Sequence, residues 1–493
     1  LIAAGGTPRS STRDAVGVAL LVAIVLALPL VVGGPEAIRS TFQDDAFYYA
    51  RIARNIARGS GITFDGLHFT SGFHPLWLGL LVPLFVVFSG PTLPLTAAVV
   101  LQILLVSGAA ALTTATFGRI VDRWSAMAGG LALLAIPETG SSLIGGLEGA
   151  LTLACAAAAW WLWLDVSLRT RAEPVAWIGP GIALACAGCA RVEAFLLVPV
   201  AVAFGFRSMA RPRASAAALC APAAFAVLAI AATNFALTAT WLPISAMVKS
   251  VTRMDSLQQR LLPSALGVAV AAGATGLSLM GLRRRPADAA SSALLLPAGG
   301  ASFWIAADLI SVGRLEPWNR VPVLLLGAVG IAFLSSKGGG KVVAAVVAAL
   351  AVARAPLGIT RGTVSASSYA PYRWEAGLWL RDHLDADARI GSWNAGTIGY
   401  ASDRHVVNLD GLVNDRAYFD EVLRGGAFAT YLEREGISYF ADQACGADPT
   451  LEPYLARTAS TALLPRAVLV ASFFDRTSPG GCPGVAIWHL RKD

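Results

Sequence analysis

From Val16 to Val32 the chain carries no polar side chain, and apolar segments of similar length recur as far as Pro356. Lipid offers no hydrogen-bond partners, so a segment of this kind must satisfy its own backbone N–H and C=O groups as a helix. Candidate spans are 16–33, 92–117, 125–142, 146–164, 175–190, 192–206, 214–239, 263–281, 290–311, 320–335 and 341–356, about eleven helices in all. Hydrophobic residues make up 56% of the chain and charged ones 14%, which excludes a soluble multidomain protein. The net charge of +7 does not point to nucleic acid, because the basic residues sit in short loops beside the spans. Residues 1–14 are polar, with Arg9 and Arg13, and the apolar run that follows is long for a signal peptide. We read it as an uncleaved first span with a cytoplasmic N-terminus.

One apolar segment breaks the pattern. Residues 76–89, LWLGLLVPLFVVFS, reach about 21 Å as a helix, against a hydrocarbon core of about 30 Å. Pro83 interrupts it further. It is expected to be a re-entrant or interfacial helix within a large first loop, 34–91. With 76–89 left out of the count, Arg119, Arg123, Arg169, Arg171, Arg207, Arg211, Arg213, Arg283–Arg285, Lys337 and Lys341 all fall on the side of the N-terminus. The positive-inside rule makes that side cytoplasmic. The loop 34–91, the turn 191–193, the loop 240–262, the turn 314–320 and the tail from 357 are then extracytoplasmic.

After Pro356 charges and turn residues appear and long apolar runs stop. Segments 388–393, 405–411, 437–442, 467–474 and 485–490 read as strands, and 374–384 and 414–434 as helices. Alternation of this kind predicts a small α/β domain over 357–493, following a transmembrane module over 1–356. Of six cysteines, four fall inside predicted spans, where Cys186 and Cys189 are small helix residues rather than a redox motif. Cys445 and Cys482 are alone in the tail, whose compartment permits a disulfide between them. The five histidines lack zinc-ligand spacing.

The densest polar stretch is TFQDDAFYYARIARNIARGSGITFDGLHFTSGFHPLW, residues 41–77. Asp44 and Asp45 follow the first span; adjacent helix positions point about 100° apart, so the two carboxylates have different surroundings. They either cap the helix that follows, or one of them is a general base. Arg51, Arg54 and Arg58 form one basic face, suited to headgroups or to a leaving phosphate. His68 and His74 lie in the loop beyond, His74 just before Pro75. Glu148, Arg191 and Glu193 stand at extracytoplasmic span ends, where they either pair with one another or line a wet cavity. Lys249, in WLPISAMVKS, is either a snorkelling lysine or a point-charge phosphate ligand. Asn394 and Asp410 end predicted strands, as turn residues or as ligand contacts.

In the order of these parts the chain resembles the GT-C superfamily of polytopic glycosyltransferases, and within it bacterial proteins related to actinobacterial arabinofuranosyltransferases. The parts are the first span, DDAFYYARIARNIARGSG, GFHPLW, GLEGAL, RVEA, LPISAMVKS, RIGSWNAGTIGY and VVNLDGLVN. The resemblance implies a large first extracytoplasmic loop with membrane-lying helices. It also implies inverting transfer of a sugar from a polyprenyl-phosphate donor to an envelope glycan, lipid or protein acceptor. Asp44, with Asp45 as the second choice, would then be the base, with Lys249, Arg51 and Arg54 at the donor phosphate and His74, Glu148, Arg191 and Glu193 lining the cavity. Members acting on arabinan commonly carry a larger tail than this one. Some relatives use a divalent metal and others none; the acidic pair offers hard oxygen ligands suited to Mg or Mn.

The expected protein is thus a multi-pass glycosyltransferase of a bacterial inner membrane. The competing classes are a transporter or flippase of a lipid-linked or polar solute, and a non-catalytic envelope scaffold. Transporters place charge near the midplane and often repeat a half; here charge gathers at span ends and no repeat is evident.

Overall fold

The computed structural model describes residues 12–134, 143–169, 171–252, 339–350, 369–446, 449–477 and 482–491, with scattered positions between 300 and 332. Among the described residues four helices are long and apolar enough to cross a membrane: α1 (Thr12–Thr41), Leu93–Phe117, Gly149–Ser167 and Pro212–Thr238. They coincide with the predicted spans 16–33, 92–117, 146–164 and 214–239. Shorter apolar helices cover Pro174–Ala190, Val192–Gly205 and Gly340–Leu350. The span expected at 125–142 begins as a helix at Arg123–Leu131 and tightens into a 3-10 turn, Ala132–Leu134; its remainder lies outside the described residues. So do 263–281 and most of 290–311 and 320–335. The described residues establish a helix-rich polytopic membrane fold, and the count of eleven is not fixed by them.

Helix α1 runs past its expected end at residue 33, but not as one straight rod. Gly34 breaks it with φ 61° and ψ −152°, and Pro35 follows. Glycine reaches that backbone region without a Cβ clash.

The chain divides into two compact units, each assembled from separate stretches. One takes Leu1–Ala37, Val99–Leu228 and Asp255–Gly362; the other takes Ile38–Ala98, Ala229–Met254 and Thr363–Asp493. In the first unit Arg123 pairs with Asp14, and Arg119 and Arg169 both pair with Asp165. These are charges that the positive-inside reading assigns to one side. Within the apolar helices Trp163 donates its indole N–H to the Ala201 carbonyl at 3.0 Å, and Phe117 meets Trp160 edge to face.

The second unit gathers the first loop, the loop after the long Pro212–Thr238 helix, and the tail. The first loop supplies α2 (Asp44–Ala57) and α3 (Pro75–Val87), which pack on one another. α3 is the segment 76–89: a short helix, apolar on all sides, starting with Pro75 in its first turn and burying Trp77, Leu78 and Leu81. A short helix α4 (Ile244–Thr252) buries Ile244 and Val248 against Phe419, with Leu412 and Leu423 alongside.

The tail is an α/β domain. Its elements are α5 (Ala370–His383), β1 (Arg389–Ser392), α6 (Ala395–Ser402), β2 (His405–Asn408), α7 (Phe428–Glu435), β3 (Tyr439–Gln443), β4 (Ala467–Phe474) and β5 (Gly484–Leu490). All five expected strands form, in the order β2-β1-β3-β5-β4. β1 pairs in parallel with β2 and β3, while β5 runs antiparallel to β3 and β4. The three parallel strands are short and buried along their centres, as strands covered on both faces must be. Trp393, Phe428, Phe440, Tyr454 and Trp488 fill the core beside them. Truncating such a ring to alanine costs about 3–5 kcal/mol. The single helix expected over 414–434 is two, because Gly425 and Gly426 interrupt it, Gly426 at φ 69°. Cys445 and Cys482 are joined by a disulfide, fastening the end of β3 to the approach to β5.

Candidate active site

The two adjacent aspartates at the start of α2 meet different surroundings. Asp44 turns to the N-terminus of α6. Its carboxylate accepts the backbone N–H of Gly396 at 3.2 Å, that of Thr397 at 2.9 Å and the Thr397 hydroxyl at 2.7 Å. Arg373 of α5 stands 3.5 Å from the same carboxylate. Free N–H groups and the helix dipole make a helix start a natural anion seat, and here the anion belongs to the chain itself. The approach is close enough to require glycine: a Cβ on Gly396 would lie 2.0 Å from the Asp44 carbonyl oxygen. Asp44 therefore holds the first loop to the tail.

Asp45, one residue on, is half-buried. Its charge falls on Tyr48 and Asp410. The buried Tyr48 hydroxyl donates to Asp410 Oδ2 at 3.3 Å and accepts from the buried Asn408 Nδ2 at 3.2 Å. Asp410 Oδ1 accepts the Leu412 N–H at 2.8 Å. Removal from water pushes the Asp410 carboxyl up to about 7, with the Asp45 charge adding to the rise. Burial also raises the Tyr48 phenol, helped by Asp410, Asp44 and Asp45, so it stays a proton donor at neutral pH. Asp410 stands just beyond the carboxyl end of β2, where parallel sheets commonly present reactive groups.

The basic face of α2 closes on a single acid. Arg51, Arg54 and Arg58 all reach Asp403, the left-handed residue that ends α6. Arg51 also donates to the Phe64 and Arg404 carbonyls, and Arg54 to the Tyr400 carbonyl at 2.7 Å while lying over the Tyr400 ring. Burial works against the ionised Asp403, but the guanidiniums of Arg54, Arg58 and Arg51 hold its carboxyl far below the usual range. Arg51 and Arg54, expected at a donor phosphate, are thus engaged in fastening the loop to the tail.

Beyond α2 the loop is shaped by Asn55, which donates to the Thr63 and Phe64 carbonyls, and by Asp65, which accepts the Leu67 and His68 N–H groups. His68 sits between Asp65 at 2.7 Å and Glu435 at 3.3 Å. Its bond to Asp65 outweighs burial and pushes it up to about 9, with Asp65, Asp415 and Glu435 adding charge. His74 precedes α3, and its backbone N–H donates to the Tyr49 hydroxyl at 3.2 Å. Ser71 joins the loop to α4 through the Ile244 N–H at 3.1 Å. Gly72 presses on the tail: a Cβ there would lie 1.9 Å from the Leu412 carbonyl. Lys249 is exposed on the last turn of α4, next to the buried Val248 that meets the 411–412 loop.

Glu148, Arg191 and Glu193 belong to the other unit. There Arg191 lies between Glu148 at 2.5 Å and Glu193 at 3.4 Å. Gln102 orders the turn before Glu148, accepting the Gly146 N–H and donating to the Leu147 carbonyl. The three residues are brought to one another, the pairing that the sequence left as one of two readings.

Among the described residues no three His, Cys, Asp or Glu side chains are grouped to hold a metal. Asp44 directs its oxygens to N–H donors and Arg373. Sequence reasoning missed Asp403 and Arg373 altogether. The signal for the first was a charge balance, three arginines on one face without a local acid.

A family model described as a domain of unknown function (DUF8728) matches residues 363–481. Curated protein sequences give no match. Among solved structures, the crystal structure of ArnT from Cupriavidus metallidurans bound to undecaprenyl phosphate matches with a TM-score of 0.56 at 13% identity. The match spans 94% of this chain and 97% of that one. The archaeal oligosaccharyltransferase AglB from Archaeoglobus fulgidus, in complex with an inhibitory peptide and a dolichol-phosphate, gives 0.52 at 12% identity, over 97% of this chain and 74% of that. The arabinofuranosyltransferase AftD from Mycobacteria gives 0.50 at 17% identity, over 100% of this chain but 40% of AftD. Identities this low carry fold and not activity. The chain shares the fold of ArnT, AglB and AftD.

Proposed function

We propose that this chain is an integral-membrane glycosyltransferase that moves a sugar from a polyprenyl phosphate to an envelope glycan, lipid or protein acceptor, with inversion. The observation that carries the reading is the division of labour in the acidic pair: Asp44 is committed to the tail, and Asp45 faces a titratable group. In this reading Asp45 takes the proton of the acceptor hydroxyl as its oxygen attacks the anomeric carbon. The carbon–oxygen bond to phosphate breaks on the opposite face, and the phosphate leaves with the electron pair. It leaves as an anion, so no second group has to protonate it, unlike the acid–base pair of inverting glycoside hydrolases.

Lys249 is assigned to the lipid phosphate, because α4 packs beside the loop that follows Asp410. The neighbours support the donor class: ArnT is bound to undecaprenyl phosphate and AglB to a dolichol-phosphate. About eleven spans, a cytoplasmic N-terminus, a transmembrane module over 1–356 and an extracytoplasmic domain over 357–493 in a bacterial inner membrane complete the proposal. His74 is assigned to the wall of the site beside α2.

The test uses the purified full chain in lipid nanodiscs, a panel of polyprenyl-phosphate-linked pentoses and hexoses, and an envelope extract as acceptor. Released polyprenyl phosphate is read by mass spectrometry. Release is expected with at least one donor, falling about 10²–10⁴-fold in Asp45→Asn. Wild-type release that Asp45→Asn leaves unchanged would sink the base assignment. Passage of the intact donor across the bilayer without release would make the chain a transporter.

A further inference from the structure

The transfer reading uses Asp45 alone, yet the surroundings of Asp45 contain a second carboxyl from a part of the chain more than 300 residues away. That carboxyl is Asp410, partly buried, and three groups fix it. Tyr48 donates to one of its oxygens at 3.3 Å, the Leu412 N–H donates to the other at 2.8 Å, and Asn408 at 3.2 Å fixes the Tyr48 hydroxyl in turn. Asn408 is itself held, its Oδ1 accepting the Val413 N–H at 3.3 Å. Tyr48 lies one helical turn after Asp45 on α2, so the hydroxyl and the Asp45 carboxylate share a face. The contacts tie that helix face to the end of β2.

Resting on the transfer reading, we propose that Asp410 is a positioning residue for the reaction: through Tyr48 it orients Asp45 toward the acceptor hydroxyl, and it shares one proton with it. Before transfer the pair carries one proton and one negative charge. The acceptor proton passes to Asp45 as the glycosidic bond forms, the phosphate leaves with its electrons, and the pair then returns one proton to water. Two carboxyls that feel one another titrate as a unit, so the pair has a pH dependence that neither residue has alone. The groups facing Asp410 are Asp45 and Tyr48 of α2, Asn408 of β2 and the Leu412 amide. Tyr418 also faces it, and Asp44 and Arg373 act on it through Tyr48. Removal from water, with the Asp45 charge adding to it, keeps a proton on Asp410 near neutrality.

The experiment measures kcat and KM against pH for wild type, Asp410→Asn and Tyr48→Phe, with the donor found active and with undecaprenyl phosphate binding followed by native mass spectrometry. Wild-type kcat is expected to inflect near pH 7. Asp410→Asn should remove that inflection and lower kcat about tenfold, with KM and undecaprenyl phosphate binding within about twofold. Tyr48→Phe should move the inflection and lower kcat less. An Asp410→Asn enzyme that keeps the wild-type inflection overturns the inference and leaves the transfer reading standing. If Asp410→Asn does not fold, an unchanged profile in Tyr48→Phe overturns it equally. A wild-type chain that neither releases polyprenyl phosphate nor binds undecaprenyl phosphate removes the transfer reading, and this inference with it.

Discussion

At the carboxyl-terminal end of α2 three arginines converge on Asp403; at its amino-terminal end two neighbouring aspartates part company. The basic end is closed. Each guanidinium has the same counter-ion, Arg51 and Arg54 also have backbone carbonyls, and only Arg58 stays substantially in water. The acidic end divides between two settings. Asp44 has N–H donors and an arginine, whereas Asp45 faces Tyr48 and a carboxyl that holds its proton to about pH 7. A dense charge is therefore a poor guide to chemistry by itself. Chemistry belongs where a charge meets a group able to change its protonation, and architecture where the charge is fully answered.

The comparison can be broken first at Asp403. Asp403→Asn keeps a side chain that tolerates the left-handed turn and removes the charge. Arg51, buried among protein groups, would then lack its counter-ion, at a cost of about 3 kcal/mol. Unfolding of the purified chain in detergent should show that loss. The pH dependence has a definite sign. The folded carboxyl is held below its unfolded value, so the clamp stabilises above about pH 4 and weakens as pH falls below it. Donor binding by Asp403→Asn at low temperature should survive if the basic end is architecture. Loss of undecaprenyl phosphate binding in a folded variant would return the arginines to the donor site.

His68 offers the opposite sign. Held between Asp65 and Glu435, it keeps its proton to about 9 in the folded chain, against about 6.5 when unfolded. Its contribution is complete below about pH 6.5 and is lost as pH rises through about 9. His68→Gln should cost about 2 kcal/mol at pH 6 and almost nothing at pH 10. Equal loss at both pH values would show that packing, not charge, ties this loop to Glu435.

Much of the frame was legible because local rules govern it. Five strands announced themselves as short apolar runs bounded by turn residues, and α3 was too short to span. The Gly34–Pro35 break fell where the apolar run gives out. What local rules do not contain is the partner. The spacing of Arg51, Arg54 and Arg58 defines a face, but Asp403 lies about 350 positions away, and nothing in the helix says which distant acid will meet it. The same holds for Asp44: the sequence offered cap and base as rival roles, and the carboxylate caps a helix other than its own. Asp410 was visible as a strand-ending residue; its tie to Tyr48 was not, since a contact across 362 positions leaves no periodic trace.

The smallest expected effect is also the sharpest probe of how closed the basic end is. Arg58 touches both oxygens of Asp403, at 2.8 and 2.9 Å, yet its side chain is 52% exposed. Water and salt screen such a pair, so Arg58→Ala should cost no more than about 0.5 kcal/mol, and less as ionic strength rises. Arg51, with a side chain 6% exposed, answers the same carboxylate without that screening. If Arg58→Ala destabilises the chain as strongly as Asp403→Asn, the three arginines act as one cooperative network rather than a buried pair with an exposed addition. A double-mutant cycle on Arg58 and Asp403 at low and high salt separates these cases: a coupling that vanishes in salt places Arg58 at the rim, and one that persists places it inside the clamp.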